Sequence, residues 1–210
     1  ELAGVGAKVL QVRSVGLAMR EKMPLRVLTA FDDLPGTEIV PEWGDEIMER
    51  NTIAGIAADK NEAMITLVRV TDTPGTVAAV VVPLASAGIA IDMMMQASSA
   101  GANCTDISFT VGRASLPQAL AILEGQKARI QYEEMVSDDA VAKVSIVGVG
   151  IRSNPELAAT MFQSLAERGI NIKAIATSEI KVSALVAEDE MELAVRVLHS
   201  AFELDAAKDA

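Results

Sequence analysis

The chain has a single cysteine, Cys104, a single histidine, His199, and only one tryptophan, one tyrosine and four phenylalanines in 210 residues. One thiol excludes an internal disulfide. Together with one imidazole it leaves no metal site built mainly from Cys and His, and no Cys–His nucleophile pair. No uninterrupted apolar stretch approaches the roughly 18 to 20 residues that a membrane-spanning helix needs. The first apolar stretch is broken by Lys8, Arg13 and Arg20, so no secretory leader is predicted. Basic residues are scarce as well: 18 Lys and Arg stand against 29 Asp and Glu, a net charge of −11, which is the wrong sign for gripping a phosphate backbone. A soluble protein of the reducing cytoplasm is expected, with no nucleic-acid and no membrane partner. The length allows one or two domains. The chain opens on Glu1 without Met, which points to a fragment, a processed product or a trimmed form.

What is present is a repeat. Displacing the sequence by 81 places brings Ile65, Val68, Pro74, Ala78, Leu84, Ala85, Gly88, Ile89 and Ile91 onto Ile146, Val149, Pro155, Ala159, Leu165, Ala166, Gly169, Ile170 and Ile172, identity for identity. After a six-residue excess in the first copy the displacement becomes 75, and Ser108, Val111, Ala119 and Leu123 meet Ser183, Val186, Ala194 and Leu198. Proline, glycine and the apolar positions between them keep one register, so the chain carries two copies of one unit.

Hydrophobic period and punctuation predict the elements of the first copy. Residues 64–70 read as a strand. Thr73 and Pro74 open a helix of about 14 residues that Gly88 closes and Pro83 bends. Residues 89–96 and 105–111 read as strands, 116–124 as a helix and 129–135 as a fourth strand. This is the β-α-β-β-α-β ferredoxin-like plan, two helices on one face of an antiparallel sheet. The second copy repeats it with strand 143–148, a helix over 155–168 capped by Asn154, strands 171–177 and 180–187, and a helix over 190–202. No residues remain for its fourth strand, because 205–210 is a polar tail. One orphan strand, Thr52 to Ala58, precedes the first copy. It is expected to complete the second sheet, so that the first unit (60–138) is inserted into the second (52–59 with 140–204). Ahead of these, residues 7–19 read as a helix and 25–28 as a short buried strand, with a turn at 32–37 and a charged linker at 41–51. That opening piece is too small to enclose a core and reads as the edge of a larger domain.

The strand-to-helix turns carry the chemistry. Asp72-Thr-Pro-Gly75-Thr76-Val77 and Ser153-Asn-Pro155-Glu-Leu each set free backbone N–H groups and a helix dipole at one place, which suits a small carboxylate. Gly75 permits close approach, and Asp72 and Asp92 offer acceptors for an ammonium, so an amino acid fits both charges. Ordinary helix caps beside solvated acids are the competing reading. Gly148-Val-Gly150 lacks the third glycine and the parallel β-α-β unit of a dinucleotide site. Met93-Met-Met95 reads as core or interface packing or as an adaptable pocket. Thr177-Ser-Glu179 is either a turn or a ligand contact. Glu133-Glu134 and Asp138-Asp139 read as solvated faces, Cys104 as inert and His199 as a surface residue.

The runs T-D-T-P-G-T at 71–76, A-I-D-M at 90–93, T-D-I-S-F-T-V at 105–111, V-S-I-V-G-V-G at 144–150 and A-T-S-E-I-K-V-S at 176–183 resemble the paired ACT domains of aspartate kinase. G-A-K-V-L at 6–10, R-S-V at 13–15, P-L-R-V at 24–27 and P-G-T at 35–37 are similar to the closing segment of that family's amino-acid-kinase domain, which assigns residues 1–40 to it. The resemblance implies an α+β chain of two ferredoxin-like ACT units that binds lysine, threonine or both. It implies feedback inhibition of the phosphorylation of L-aspartate by ATP.

By the same resemblance the effectors sit where ACT units of two chains pair side by side. The residues carried over are Asp72, Gly75, Thr76, Val77, Ile91, Asp92, Gln96 and Ser99 in the first unit, and Asn171, Ile172, Thr177, Ser178 and Glu179 in the second. The family's nucleotide and aspartate sites lie upstream of Glu1. The chain alone is therefore expected to hold no cofactor and to be inactive, with ATP and Mg belonging to the parent enzyme. Its partner is expected to be a second copy, through the ACT units, or a catalytic kinase chain. A separately encoded regulatory subunit and a dimerisation module without effector are the alternatives.

Overall fold

The computed structural model describes residues 10–31, 34–39, 53–98, 103–148 and 150–204. The linker 41–51, Thr52, Ser99 and the tail 205–210 lie outside them. Helix α1 (Val12–Arg20) and the hairpin β1 (Leu25–Val27) with β2 (Thr37–Ile39) form the opening piece. The helix starts five residues later than expected, since Leu10 and Gln11 are not helical. The expected buried strand at 25–28 is instead partly exposed, and Leu28 is 61% exposed. Leu17, Met23, Phe31 and Leu34 are exposed as well.

The rest is one six-stranded ladder, every neighbouring pair antiparallel. Strand β3 (Ile53–Thr71) is followed by helix α2 (Thr76–Ser86), strands β4 (Ile91–Ser98) and β5 (Cys104–Val111), helices α3 (Leu116–Gly125) and α4 (Lys127–Ile130), and strand β6 (Glu134–Gly148). Helix α5 (Pro155–Glu167), strands β7 (Ala174–Thr177) and β8 (Lys181–Ala187), and helix α6 (Met191–Ala201) complete the chain. The sheet order is β4-β5-β3-β6-β8-β7. The orphan segment does complete the second sheet: Ile53 faces Gly148 and Asp59 faces Lys143.

The orphan is not a separate strand, however. It runs without a break into the first strand of the first unit, and β6 in the same way serves both units, Met135 facing Leu67 at one end and Val147 facing Gly55 at the other. The partner exchange happens inside these strands, where the register shifts around Glu62. Local acceptors hold the backbone at that point: Asp59 takes the amide of Asn61 at 2.9 Å, and Asp138 takes that of Ala140 at 3.0 Å.

Three further expectations fail. Residues 129–135 are not all strand: Lys127–Ile130 is a helical turn ended by Gln131 at φ 58°, and β6 begins only at Glu134. Tertiary packing decides this, because Ile130 and Tyr132 are both buried in the first core. The Tyr132 hydroxyl donates to Glu124 at 2.8 Å, and burial together with that carboxylate pushes its pKa up to about 12. Strand β7 is also shorter than expected, starting at Ala174, and β4 starts at Ile91 and not at Ile89.

The repeat is legible in the core. Ile65 and Ile146, Leu84 and Leu165, Ala119 and Ala194, and Leu123 and Leu198 are completely buried in their respective units. The Leu-Ala-x-x-Gly-Ile identity closes the first helix of each. Gly88 and Gly169 adopt φ 75° and 72°, and Ile89 and Ile170 donate back to Leu84 and Leu165 at 3.0 and 3.1 Å.

Helices cover one face of the ladder, and a third apolar cluster lies on the other. Met93, Val141, Ala174 and Leu185 are buried there, with Met64, Met95 and Ala176 against them. Strands β4 and β7 are at opposite ends of the order, about 24 Å apart in a flat sheet. Their residues Met93 and Ala174 nonetheless pack in this one cluster, so the ladder folds back and the helix-free faces of the two units meet. Met93 and Met95 are thus packing residues, while Met94 points outward at 37% exposure.

Ion pairs cross the same seam. Lys143, on β6, contacts Glu62 and Asp92, Lys173 contacts Asp138, and Arg113 donates to Glu188 at 2.9 Å. Asp138, expected on a solvated face, thus finds a cation 35 residues away in sequence. Burial would pull the Lys143 ammonium down, but its hydrogen bonds to Asp92 and Glu62 outweigh burial and raise its pKa. The hydrogen bond from Lys173 lowers Asp138, and that from Arg113 lowers Glu188.

Leu84→Ala and Leu165→Ala occupy equivalent sites and are expected to cost similar amounts, each about 2 to 5 kcal/mol, in urea denaturation. A marked inequality would show that the two cores are not equivalent. The ion pairs set a pH window. The lowered carboxylates stabilise the fold above their unfolded values, and that contribution is lost as pH falls through their folded pKa. The raised lysine stabilises below its unfolded value, and that is lost as pH rises through its folded pKa. Melting temperature should therefore be flat across neutral pH, then fall below about pH 4 and above about pH 10.5.

Candidate functional site

The two strand-to-helix turns occupy equivalent positions in the repeat but are built differently. In the first, Thr73-Pro74-Gly75-Thr76 is a tight turn in which the Thr76 amide donates to the Thr73 carbonyl at 3.1 Å and Gly75 takes φ 100°. That is the type II pattern, proline second and a left-handed residue third. The helix thus begins at Thr76 and not at Pro74. Thr76 is buried, and its hydroxyl donates to the Thr71 carbonyl at 2.9 Å, so its side chain ties the turn to the end of β3. No side chain caps α2, and its first turn holds no acid. Nothing lies within 4 Å of the position a Gly75 Cβ would take. The leading amides of Val77 and Ala78 have no helical acceptor ahead of them.

In the second turn Asn154 caps α5, its side-chain oxygen accepting the Glu156 amide at 3.2 Å, and Glu156 puts a carboxylate into the first turn. Cap and acid satisfy the amides and the helix dipole from within the chain. The two turns therefore differ in their capacity for an anion: the first is open and the second is filled.

The strand pairing sorts the remaining candidates. Thr71 and Ser98 are opposite Cys104 and Thr105 at one end of the first unit, whereas Ala63 and Ile91 are both opposite Val111 at the other. Gln96 therefore reaches the turn, with its Nε2 3.5 Å from Asp72 Oδ1. Asp92, four residues earlier on β4, is about 13 Å away along the strand. Its carboxylate contacts Lys143. Asp72, Gly75, Val77 and Gln96 thus gather at one end, and Ile91 and Asp92 at the other, so the two groups cannot share one small ligand within a single chain. Ser99 lies outside the described residues.

In the second unit, Asn171 is exposed and Ile172 packs against the second core. The Thr177-Ser-Glu179 run forms the β7–β8 turn. Ser178 donates its amide to the Lys181 carbonyl at 2.8 Å, and its hydroxyl accepts the Lys181 amide at 3.1 Å, while Thr177 and Glu179 are exposed. The sequence did not single out Lys143 or Glu62. A charged residue inside a run otherwise of Val, Ala, Ser and Ile, as Lys143 is in 141–147, was the available signal.

The ACT domain family matches residues 144–202. Over 206 residues the chain is 47% identical to the aspartokinase of Pseudomonas aeruginosa, covering 98% of this chain and 50% of that protein. Identity to the aspartokinase of Mycolicibacterium smegmatis is 41% over 205 residues, or 97% of this chain and 49% of that protein. The chain thus spans about half the length of the curated relatives it matches. The regulatory subunit of aspartate kinase from Thermus thermophilus, solved free of ligand, is 41% identical with a TM-score of 0.69, over 72% of this chain and 99% of that one. A structure of aspartokinase alpha and beta subunits matches at 47% identity and a TM-score of 0.67, again over 72% and 99%. Escherichia coli aspartokinase III, in complex with lysine and aspartate, shares the fold at 20% identity and a TM-score of 0.72, over 96% of this chain and 44% of that one. Likeness at this level over nearly the whole of a regulatory subunit shows that the chain belongs to the aspartokinase family and carries its ACT regulatory region.

Proposed function

We propose that this region senses a free amino acid, lysine or threonine or both, at the Pro74–Gly75 turn of the first unit. In doing so it restrains the phosphorylation of L-aspartate by ATP in the kinase part of the parent enzyme, which would also hold the ATP and its Mg. The difference between the two turns carries this reading: only the first leaves helix-end amides without a cap or a first-turn acid. An α-carboxylate fits those amides, and Asp72, beside Gln96, offers an acceptor for the ammonium. Lysine bound to the E. coli enzyme of the same fold is consistent with an effector of this class.

The partner is a second copy. Strand β4 is an edge, eight residues long and mostly exposed, whereas the other edge, β7, has four residues. A long exposed edge is a template for another strand. If two β4 strands pair antiparallel about a two-fold axis, the start of one lies beside the end of the other. Ile91 and Asp92 of one copy then approach Asp72, Gly75 and Gln96 of its mate, which reunites the two groups that one chain keeps apart. An effector that bridges copies favours one dimer geometry, and inhibition follows as a population shift. Asn171, Ile172, Thr177, Ser178 and Glu179 remain candidates for a weaker second site.

A separately encoded regulatory subunit is a second reading, favoured by the match over 99% of the Thermus subunit. A separate translation product of about that subunit's length in the source cells would support it, and its absence would refute it.

Calorimetric titration with lysine and with threonine is expected to show saturable binding of at least one at millimolar concentration or below. Silence with both would leave only a dimerisation role. Gly75→Ala meets no atoms but forces a side chain into φ 100°, which costs about 1 to 2 kcal/mol. Relief of that strain shifts the amides of Val77 and Ala78, and loss of one hydrogen bond to the carboxylate should lower effector affinity about tenfold. Asn154→Ala should cost about 1 kcal/mol of stability and leave affinity unchanged. Equal losses of affinity from both substitutions would contradict the assignment to the first turn.

A further inference from the structure

The seam between the two units has an approximate two-fold relation that the duplication itself creates. Strands β3 and β6 are the first strands of the two units and pair antiparallel, so equivalent residues 81 apart approach one another where the register crosses. Glu62 and Lys143 are such a pair, 81 apart, and they are in contact with both side chains buried. Arg113 and Glu188 are equivalent at the later offset of 75. They too touch each other, at 3.3 Å through Nη1 and 2.9 Å through Nη2. Asp92 is equivalent to Lys173 by the first offset, and each of these crosses to the other unit, Asp92 to Lys143 and Lys173 to Asp138.

At all three pairs of equivalent positions the sign is therefore inverted: acid, acid and base in the first unit stand against base, base and acid in the second. We propose that this inversion is a recognition code that makes the helix-free face of each unit fit the unlike unit of its own chain and reject a like unit. Pairing of two first units through this face would set Glu62 against Glu62 and Arg113 against Arg113. Pairing of two second units would set Lys143 against Lys143 and Glu188 against Glu188. Like charges forced together in a partly dry interface are repulsive, and one buried charge left without its mate costs more than the pair gains. The apolar cluster of Met93, Val141, Ala174 and Leu185 cannot discriminate in this way, because methionine and small aliphatic side chains pack against either unit. The apolar residues hold the seam together and the charges choose which units meet. Association between copies of the chain is thereby directed to other surfaces.

Lys143→Glu in the whole chain reproduces within one molecule the like-charge contact that a homotypic pairing would impose. Its melting temperature is expected to fall by roughly 6 to 20 °C. The exchanged variant Glu62→Lys/Asp92→Lys/Lys143→Glu restores opposite signs at both contacts of position 143 and should recover more than half of that loss. Should Lys143→Glu or the exchange give no folded protein, the partly exposed pair decides. Arg113→Glu should then lower melting by a few degrees, and Arg113→Glu/Glu188→Arg should recover it. Exchanged variants no more stable than the sum of their single changes would overturn the proposal, as would single charge reversals that leave melting unchanged.

Discussion

Everything in this chain hangs on two strands that belong to both units. Strands β3 and β6 run 19 and 15 residues and pair with each other along nearly their whole length, so neither unit can complete its sheet without a strand that the other also uses. The hydrogen bonds of this central pair are what make the insertion of one unit into the other a single ladder. The bulged crossing near Glu62 lets the ladder fold back, and the fold-back creates the helix-free seam with its methionines and its ion pairs.

Duplication starts with two identical copies, and divergence at equivalent positions then separates their roles. Residues that stayed identical are those the core and the helix ends cannot give up, such as Leu84 and Leu165 beneath the first helix and Gly88 and Gly169 at its close. Residues that differ between the copies line the turns and the seam. Pro74-Gly75 became an open turn while Asn154-Pro155-Glu156 became a capped one. Glu62, Asp92 and Arg113 became complements of Lys143, Lys173 and Glu188. One copy is thus left free to hold a ligand, and the seam is left able to tell the copies apart.

Much of this was legible in the sequence. The offset of 81, the β-α-β-β-α-β plan and the destination of the orphan strand all follow from apolar period and punctuation, because those signals report burial directly. What escaped was set by tertiary contacts. The continuity of the orphan strand with the next one was hidden by the polar run Asp59-Lys60-Asn61-Glu62, which reads as a loop but lies where the strands exchange partners. The helical turn at Lys127–Ile130 was hidden by the apolar pair Ile130 and Tyr132, which the core draws inward. Among site residues, the turn at Gly75 was visible from Pro-Gly alone. Asp92 lies at the far end of β4 from it, as the β-α-β crossover requires; grouping it with Asp72 rested on charge alone and ignored that connection.

Regulation by this region hangs on an amino acid binding at the open turn of the first unit and not at its filled counterpart. Crystals of the chain grown with lysine and threonine test it most directly. An effector is expected with its carboxylate on the amides that follow Gly75 and its ammonium near Asp72, beside the β4 of a second copy. An effector on the turn of Asn154, with the turn of Gly75 empty, would contradict it.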